Sequence, residues 1–306
     1  DGGYIFASTT SSTGGNVSGN HSGSGHADDI WIVRLDQQGN IIWQKCYGGS
    51  ENDEGKDIIP TFDGGFVIAG YTFSNDSGIV NHSAGHIDAL IVKIDSIGAI
   101  EWQKTFGGLN DESAYDIFQT SDSGYVFTGS TTSNDGDVSG HISGTDAWVC
   151  KISSAGKFEW SKCLGGSDED YGNCVIQTHD NGYMVYATTK STDVDVTGNK
   201  LGRKAWLVKL NPATNSVDAA ITSGGFKHPY PNPSTNEMSM KVYNSMPVKE
   251  IQFFNLVGVQ YYPEYRVEGT TATISVRSLP SGMYMARISY LDSGKNTEEV
   301  RKFIRE

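Results

Sequence analysis

The chain has no apolar run long enough to cross a membrane as a helix, and no stretch ordered like a secretory leader. It begins at Asp1, without Met and inside a repeat, and reads as a mature form or a fragment. Long stretches of 3.6-residue period are lacking and Ala and Leu are sparse, which argues against a helical fold. Gly, Ser, Thr and Asn are abundant instead, as in all-β chains with many turns. No nucleophile elbow, Walker loop, zinc-protease helix or kinase motif set occurs, so the common enzyme classes have no footing in the sequence. Positive charge is scarce over most of the length. The net charge is −13; residues from 226 onward carry 10 Lys and Arg against 8 Asp and Glu, and the rest carries 13 against 28. Such an acidic region repels phosphate backbones and anionic lipids, which excludes nucleic acid as an expected partner.

What is present is a copied unit. Asp1-Gly2-Gly3-Tyr4 recurs as Asp63-Gly64-Gly65-Phe66, Asp122-Ser123-Gly124-Tyr125 and Asp180-Asn181-Gly182-Tyr183. Gly48-Gly49, Gly107-Gly108 and Gly165-Gly166 recur in step, as do Trp43, Trp102 and Trp160, and the series Trp31, Leu90, Trp148 and Trp206. A period of this size with several strands per unit indicates a propeller or a related array. One unit offers four strands, near 55–62, 65–72, 88–95 and 99–106. Asp63-Gly64 signals a type I′ hairpin between the first two. Leu90, Val92 and Ile94 supply the alternating apolar stripe by which such sheets stack. Residues 1–46 hold only three of the four strands, which suggests an incomplete ring with further blades upstream. Strand alternation puts the tight turns at one end of the units. The long loops 11–28, 73–87, 133–145 and 191–203, with the inter-unit loops, lie at the other, which is the candidate binding surface.

Asp135 and Asp137, and Asp193 and Asp195, space carboxylates two apart in a loop, as at the start of a calcium loop, but without its later ligands. Turn capping through the Asx side chain is the competing reading. Calcium is thus the one candidate cofactor. His21, His82 and His141 recur in phase and fit turn positions better than a zinc site. The tryptophans fit core packing better than a sugar platform. Cys163 and Cys174 together replace Thr105 and Asp116 of the preceding unit, which points to a local disulfide. Cys150 takes the place of Val33, Val92 and Val208, a buried apolar position.

The last residues do not repeat. Tyr230-Pro231-Asn232-Pro233 is a stiff, extended entry. A β-rich run, 251–255, stops at Gly258, where a turn wants positive φ. Leu279-Pro280-Ser281-Gly282 forms a second turn, after which Tyr284, Ala286, Ile288 and Tyr290 share one strand face. A short strand with Arg301 and Lys302 follows. These short strands make a small β-sandwich.

In order and spacing these landmarks resemble the type A C-terminal sorting domain of the type IX secretion system, over residues 228–306. The resemblance implies an Ig-like sandwich, export across the outer membrane of a Gram-negative bacterium, and recognition by the translocon and its shuttle protein. It also implies removal by a sortase-like surface protease. On that resemblance Pro231, Asn232, Pro233, Gly258, Leu279, Pro280, Gly282, Tyr284, Arg301 and Lys302 are the candidate recognition residues. The units themselves resemble propeller-like repeats of secreted proteins that carry such a tail. The expected organisation is therefore all-β: propeller-type repeats over 1–222, a linker with a cleavage site over 223–227, and the sorting domain over 228–306. The expected function is a secreted or cell-surface cargo whose non-enzymatic propeller is a binding or spacer scaffold, with a glycan or protein ligand on the long-loop face. The alternative is an extracellular polysaccharide hydrolase or lyase with the same export tail.

Overall fold

The computed structural model describes residues 2–21, 27–80, 86–178, 180–196, 199, 202–211, 217–223, 237–242, 247–255, 260–269, 271–280, 282–292 and 295–305. All regular structure in them is β. The first sheet has three strands, β1 (Tyr4–Thr10), β2 (Asp29–Leu35) and β3 (Ile41–Tyr47). The second has four, β4 (Asp53–Pro60), β5 (Phe66–Thr72), β6 (Asp88–Ile94) and β7 (Ile100–Phe106). The third repeats this with β8 (Glu112–Gln119), β9 (Tyr125–Thr131), β10 (Asp146–Ile152) and β11 (Phe158–Leu164). The fourth has β12 (Asp170–Gln177), β13 (Tyr183–Thr189), β14 (Lys204–Leu210) and β15 (Val217–Ser223). Each is an antiparallel meander in chain order, and the strand positions agree with those expected.

The chain divides into two compact units, one of residues 1–175 with 191–195, the other of 176–190 with 196–306. In the first unit the alternation along each strand sends one set of side chains to each neighbouring sheet. Ile68, Leu90, Val92 and Ile94 of the second sheet pack with Ile30, Ile32 and Tyr47 of the first. Val67, Ala69, Ala89, Ile91 and Phe106 turn the other way, onto Ile117, Tyr125, Phe127, Trp148 and Cys150 of the third. Strand β6 is therefore buried along its whole length. Each large aliphatic or aromatic side chain fully buried in this way stabilises by about 1.5–3 kcal/mol. Stacking thus supplies what a lone meander lacks.

The hairpin turn at Asp63-Gly64 differs from the type I′ expectation. Thr61 N donates to Gly65 O (3.0 Å) and Gly64 N to Thr61 O (2.9 Å). Only Gly64 has a left-handed φ, +86°, where type I′ needs two such residues. The loop is one residue longer, and Asp63 Oδ1 closes it by accepting Gly65 N. Ser123 and Asn181 take the same φ, +67° and +62°, in the next two units. At this end Lys93 Nζ is buried between Asp63 Oδ2 (3.0 Å) and Glu101 Oε2 (2.8 Å), so it clamps the turn to the outer strand. Lys151 repeats the clamp with Asp122 and Glu159.

In the second unit, after β14 and β15, come β16 (Glu237–Lys241), β17 (Val248–Asn255), β18 (Gln260–Tyr261), β19 (Tyr265–Glu268), β20 (Thr271–Ser275), β21 (Gly282–Asp292) and β22 (Lys295–Arg305). They form a sheet ordered β16-β20-β19 and another ordered β18-β17-β21-β22. Met238, Ala272 and Ile274 of the first share a core with Ile251, Phe253, Tyr284, Ala286 and Ile288 of the second. The two-sheet packing and the shared face of Tyr284, Ala286 and Ile288 agree with the sequence.

Candidate functional site

The end of the repeats that carries the loops is built around each Gly-Gly step. Here the chain leaves one sheet and enters the next. The first residue of the entering strand bonds back: Asp53 N donates to Asp28 O (2.6 Å), Glu112 N to Ile87 O (2.8 Å) and Asp170 N to Thr145 O (2.6 Å). The side chains of Asp53, Glu112 and Asp170 are fully buried. Each accepts the second glycine's amide: Gly49 (2.7 Å), Gly108 (2.7 Å) and Gly166 (2.9 Å). Each also accepts a hydroxyl from the strand beside it or its following loop: Ser74 Oγ (2.9 Å), Thr131 Oγ1 (2.6 Å) and Ser191 Oγ (2.8 Å).

A second buried acid comes from the preceding sheet, at the start of β2, β6 and β10: Asp29, Asp88 and Asp146. The first glycine of each step lies between the two carboxylates. A Cβ on Gly48 would come 2.4 Å from Asp53 Oδ2 and 3.0 Å from Asp29 Oδ1. On Gly165 it would come 2.3 Å from Asp170 Oδ2 and 2.9 Å from Asp146 Oδ1. Only glycine tolerates that approach. Asp29 Oδ2 accepts both His21 N (2.7 Å) and His21 Nδ1 (2.8 Å), while the Oδ1 atoms of Asp29 and Asp146 have no hydrogen-bond partner. Burial pushes four of these carboxyls up. Asp29 and Asp53 are raised by it, and the Asp29 charge adds to the effect on Asp53. Glu112 is raised by burial and by Asp88. Asp146 reaches about 6, from burial and from the charges of Asp170 and Asp195.

The candidate calcium residues act as staples at this same end. Asp135 Oδ1 accepts Leu109 N (3.0 Å), and Asp193 Oδ1 accepts Ser167 N (2.8 Å). Asp137 N and Asp195 N donate to Gly107 O (2.9 Å) and Gly165 O (3.1 Å). The four thus tie each long loop to the inter-sheet loop. Among the described residues no three His, Cys, Asp or Glu side chains converge as metal ligands. His86 Nδ1 pairs with Asp111 Oδ1 (3.0 Å), and His141 Nε2 lies 3.3 Å from Gly144 O; His82 lies outside the described residues. The tryptophans pack or bridge sheets. Trp43 Nε1 donates to Ser96 O and Trp102 Nε1 to Ser154 O (both 3.2 Å), while Trp148 and Trp206 are fully buried.

The expected bridge between Cys163 and Cys174 is not formed; neither cysteine is in a disulfide. Cys163 points into the core between the second and third sheets, while Cys174 lies half-exposed on β12 of the fourth. Neither cysteine faces the other across one pair of strands. Burial pushes the Cys163 thiol well up, as suits an apolar core residue. Cys150 is fully buried, as its place in the repeat implied.

The buried acids Asp29, Asp88 and Asp146 escaped sequence reasoning. A signal was there: each directly precedes the apolar stripe of its unit, and Lys204 breaks the series in the fourth.

Of the tail residues, Leu279 is buried and its amide donates to Val276 O (3.1 Å). Tyr284 is buried and its hydroxyl donates to Pro280 O (2.6 Å), which clamps the turn to the strand that Gly282 opens. The Tyr284 ring meets that of Tyr261 edge-on at 5.7 Å. Arg301 and Lys302 lie on β22, opposite Ala286 and Met285. Pro231, Asn232, Pro233 and Gly258 lie outside the described residues, as do residues 224–227 of the expected linker.

No curated protein matches the chain. Residues 228–306 match the family described as the secretion system C-terminal sorting domain. That tail is of the type IX kind: it engages the type IX secretion machinery and directs export across the outer membrane, to the cell surface or the extracellular space.

Proposed function

We propose that the chain is a non-enzymatic surface or secreted cargo in which stacked β-sheets, arranged as blades of a propeller, serve as a binding or spacer scaffold. The Ig-like tail is its export signal, read by the translocon and shuttle protein of a Gram-negative cell and cut by a sortase-like protease near 223–227. The observation that carries this reading is the match of residues 228–306, together with the two-sheet core on which its landmarks sit. The scaffold role draws support from the loop end. Its carboxylates are spent on holding loops, and they recur from unit to unit, whereas a catalytic pair breaks such symmetry. Apolar Val80, Leu109 and Val194 stand exposed among these acidic loops and would meet a protein or glycan ligand there.

Deletion of residues 228–306 in a producing strain tests the reading. The truncated chain is expected to stay in the periplasm; its arrival at the surface would show that export is read elsewhere. Turnover of a polysaccharide panel by the full chain would replace the scaffold role with an enzymatic one.

A further inference from the structure

We propose that the second sheet carries a binding site for an indole-type ring, a planar heteroaromatic group with one N–H donor, in a cavity between its long loop and β7. This gives a chemistry to the binding role proposed above and rests on it. The series Trp31, Leu90, Trp148 and Trp206 has a ring at three of its four places. Trp148 and Trp206 are fully buried, while the shorter Leu90 lines a cavity of about 120 Å³. The other walls are Gly78, Ile79 and Val80 of the loop with Gln103 and Thr105 of β7. Strand register makes the places equivalent: Leu90 lies opposite Thr105 as Trp31 lies opposite Cys46. An apolar cavity of similar size, about 150 Å³, takes up benzene.

The first sheet shows what such a place accepts. There Trp31 Nε1 donates to Gln44 Oε1 (2.8 Å), and Gln44 Nε2 donates to Ser18 Oγ of the loop. Gln103 holds the place of Gln44, opposite Val92 as Gln44 is opposite Val33. Its Nε2 donates to Ser77 O (2.8 Å), which again ties the amide nitrogen to the loop and leaves the oxygen as the acceptor. The second sheet thus has the acceptor without the ring that uses it. The third has the reverse: Trp148 Nε1 has no hydrogen-bond partner, and Ser161 stands where the glutamine does. The walls are fixed in advance. Thr105 Oγ1 donates to Val80 O, and Ile79 N to Asp76 O (2.8 Å). Ile79 is buried, whereas Val80 is 67% exposed and stands at the mouth. A preformed, mostly apolar hollow with one placed polar group is the usual form of a small-ligand site. A ring seated on Leu90 would bury its faces against Ile79 and Val80 and offer its N–H to Gln103 Oε1.

Indole is the probe, titrated into the full chain. Saturable binding at about millimolar concentration or below, the reach of so small a ligand, is expected, with NMR shifts at the methyl groups of Ile79, Val80 and Leu90. Leu90→Trp should abolish binding without lowering the melting temperature, since the chain's own ring then fills the space. Gln103→Leu should weaken indole about three- to tenfold, the worth of one hydrogen bond, and leave the binding of N-methylindole, which lacks the N–H, unchanged. No binding of indole, or equal binding by the parent chain and Gln103→Leu, overturns the proposal; so does undiminished binding by a folded Leu90→Trp. Should Leu90→Trp fail to fold, the Gln103→Leu comparison decides. Binding of N-acetyltryptophanamide as well assigns the ring to a protein ligand, and binding of indole alone assigns it to a free heteroaromatic compound. None of these outcomes bears on export, which the tail deletion tests separately.

Discussion

The repeats and the tail solve burial in opposite ways. The repeats bury carboxylates between sheets, Asp29 with Asp53 and Asp146 with Asp170, and bury the amine of Lys93 within a sheet against two half-exposed acids. The core of the tail is an apolar set from two sheets, with Tyr284 as its polar-tipped member. An apolar core is tolerant of what surrounds it, which suits a module attached to a passenger. Buried polar junctions demand a complementary neighbour, which suits a unit that only ever meets its own copies. The difference separates architecture that specifies its own order from a label that has to work by itself.

The largest test of that contrast is in the tail. Phe253→Ala should cost about 3–5 kcal/mol and abolish export, read by surface proteolysis of intact cells. Trp148→Ala, of similar cost on the same grounds, should unfold the repeats on a denaturant curve yet leave a tail-bearing reporter exported. If both variants lose export equally, the two regions are not independent in function.

Next is Gly48→Ala. Its methyl would meet Asp53 Oδ2 at 2.4 Å. A loss of about 1–3 kcal/mol is expected, as for other overpacked cores, measured by thermal melting. Gly14→Ala is the control, since a Cβ there meets nothing within 4 Å.

The pH response is smaller and of unusual sign. Asp146 is raised by burial to about 6, and Asp29, Asp53 and Glu112 are raised too. Such groups bind protons more readily folded than unfolded. Stability should therefore rise as pH falls from 7 through about 6 toward 4, the unfolded value. The turn acids respond in reverse. Thr178 and Lys209 hold Asp180 at about 2, against burial. Asp63 is pushed up by burial but held by Thr61, Gly65 and Lys93 at a net value of about 2. Their contribution is present above about 4 and is lost as pH falls from there toward 2. Melting of the repeat region should thus peak in mild acid. Asp146→Asn should raise the melting temperature at pH 7 and flatten the rise below it. A profile that falls steadily from pH 7 to 5 would show that the junction acids are not strained. Least of all, breaking the exposed His86–Asp111 pair by Asp111→Ala should move stability by under about 0.5 kcal/mol.

Much of the fold was legible because period and alternation are local. The Leu90, Val92 and Ile94 stripe announced a sheet packed on its neighbour, and it lies in the core shared with the first sheet. The Gly-Gly steps marked the passages between sheets. The hairpin type was not legible, since Asp-Gly serves a longer loop with one left-handed residue equally well. The cysteine pairing failed because joint replacement in sequence does not place two side chains in one sheet. The buried acids were hidden by their chemistry: an Asp before an apolar run reads as a turn cap until the next unit's acid is seen beside it. Tail landmarks such as Leu279 and Tyr284 were found readily, but they prove to be buried parts of a turn clamp. A contact residue and a shaping residue leave the same trace in one sequence.

The glycine held between two carboxylates has a bearing on how such chains change length. One acid belongs to the unit that is ending and the other to the unit that is starting, so the second and third copies each carry a socket at the front and a plug at the back. A duplication or loss of one whole period leaves every joint matched. Unequal exchange between copies could lengthen or shorten the array in single steps, with the address at the far end left untouched.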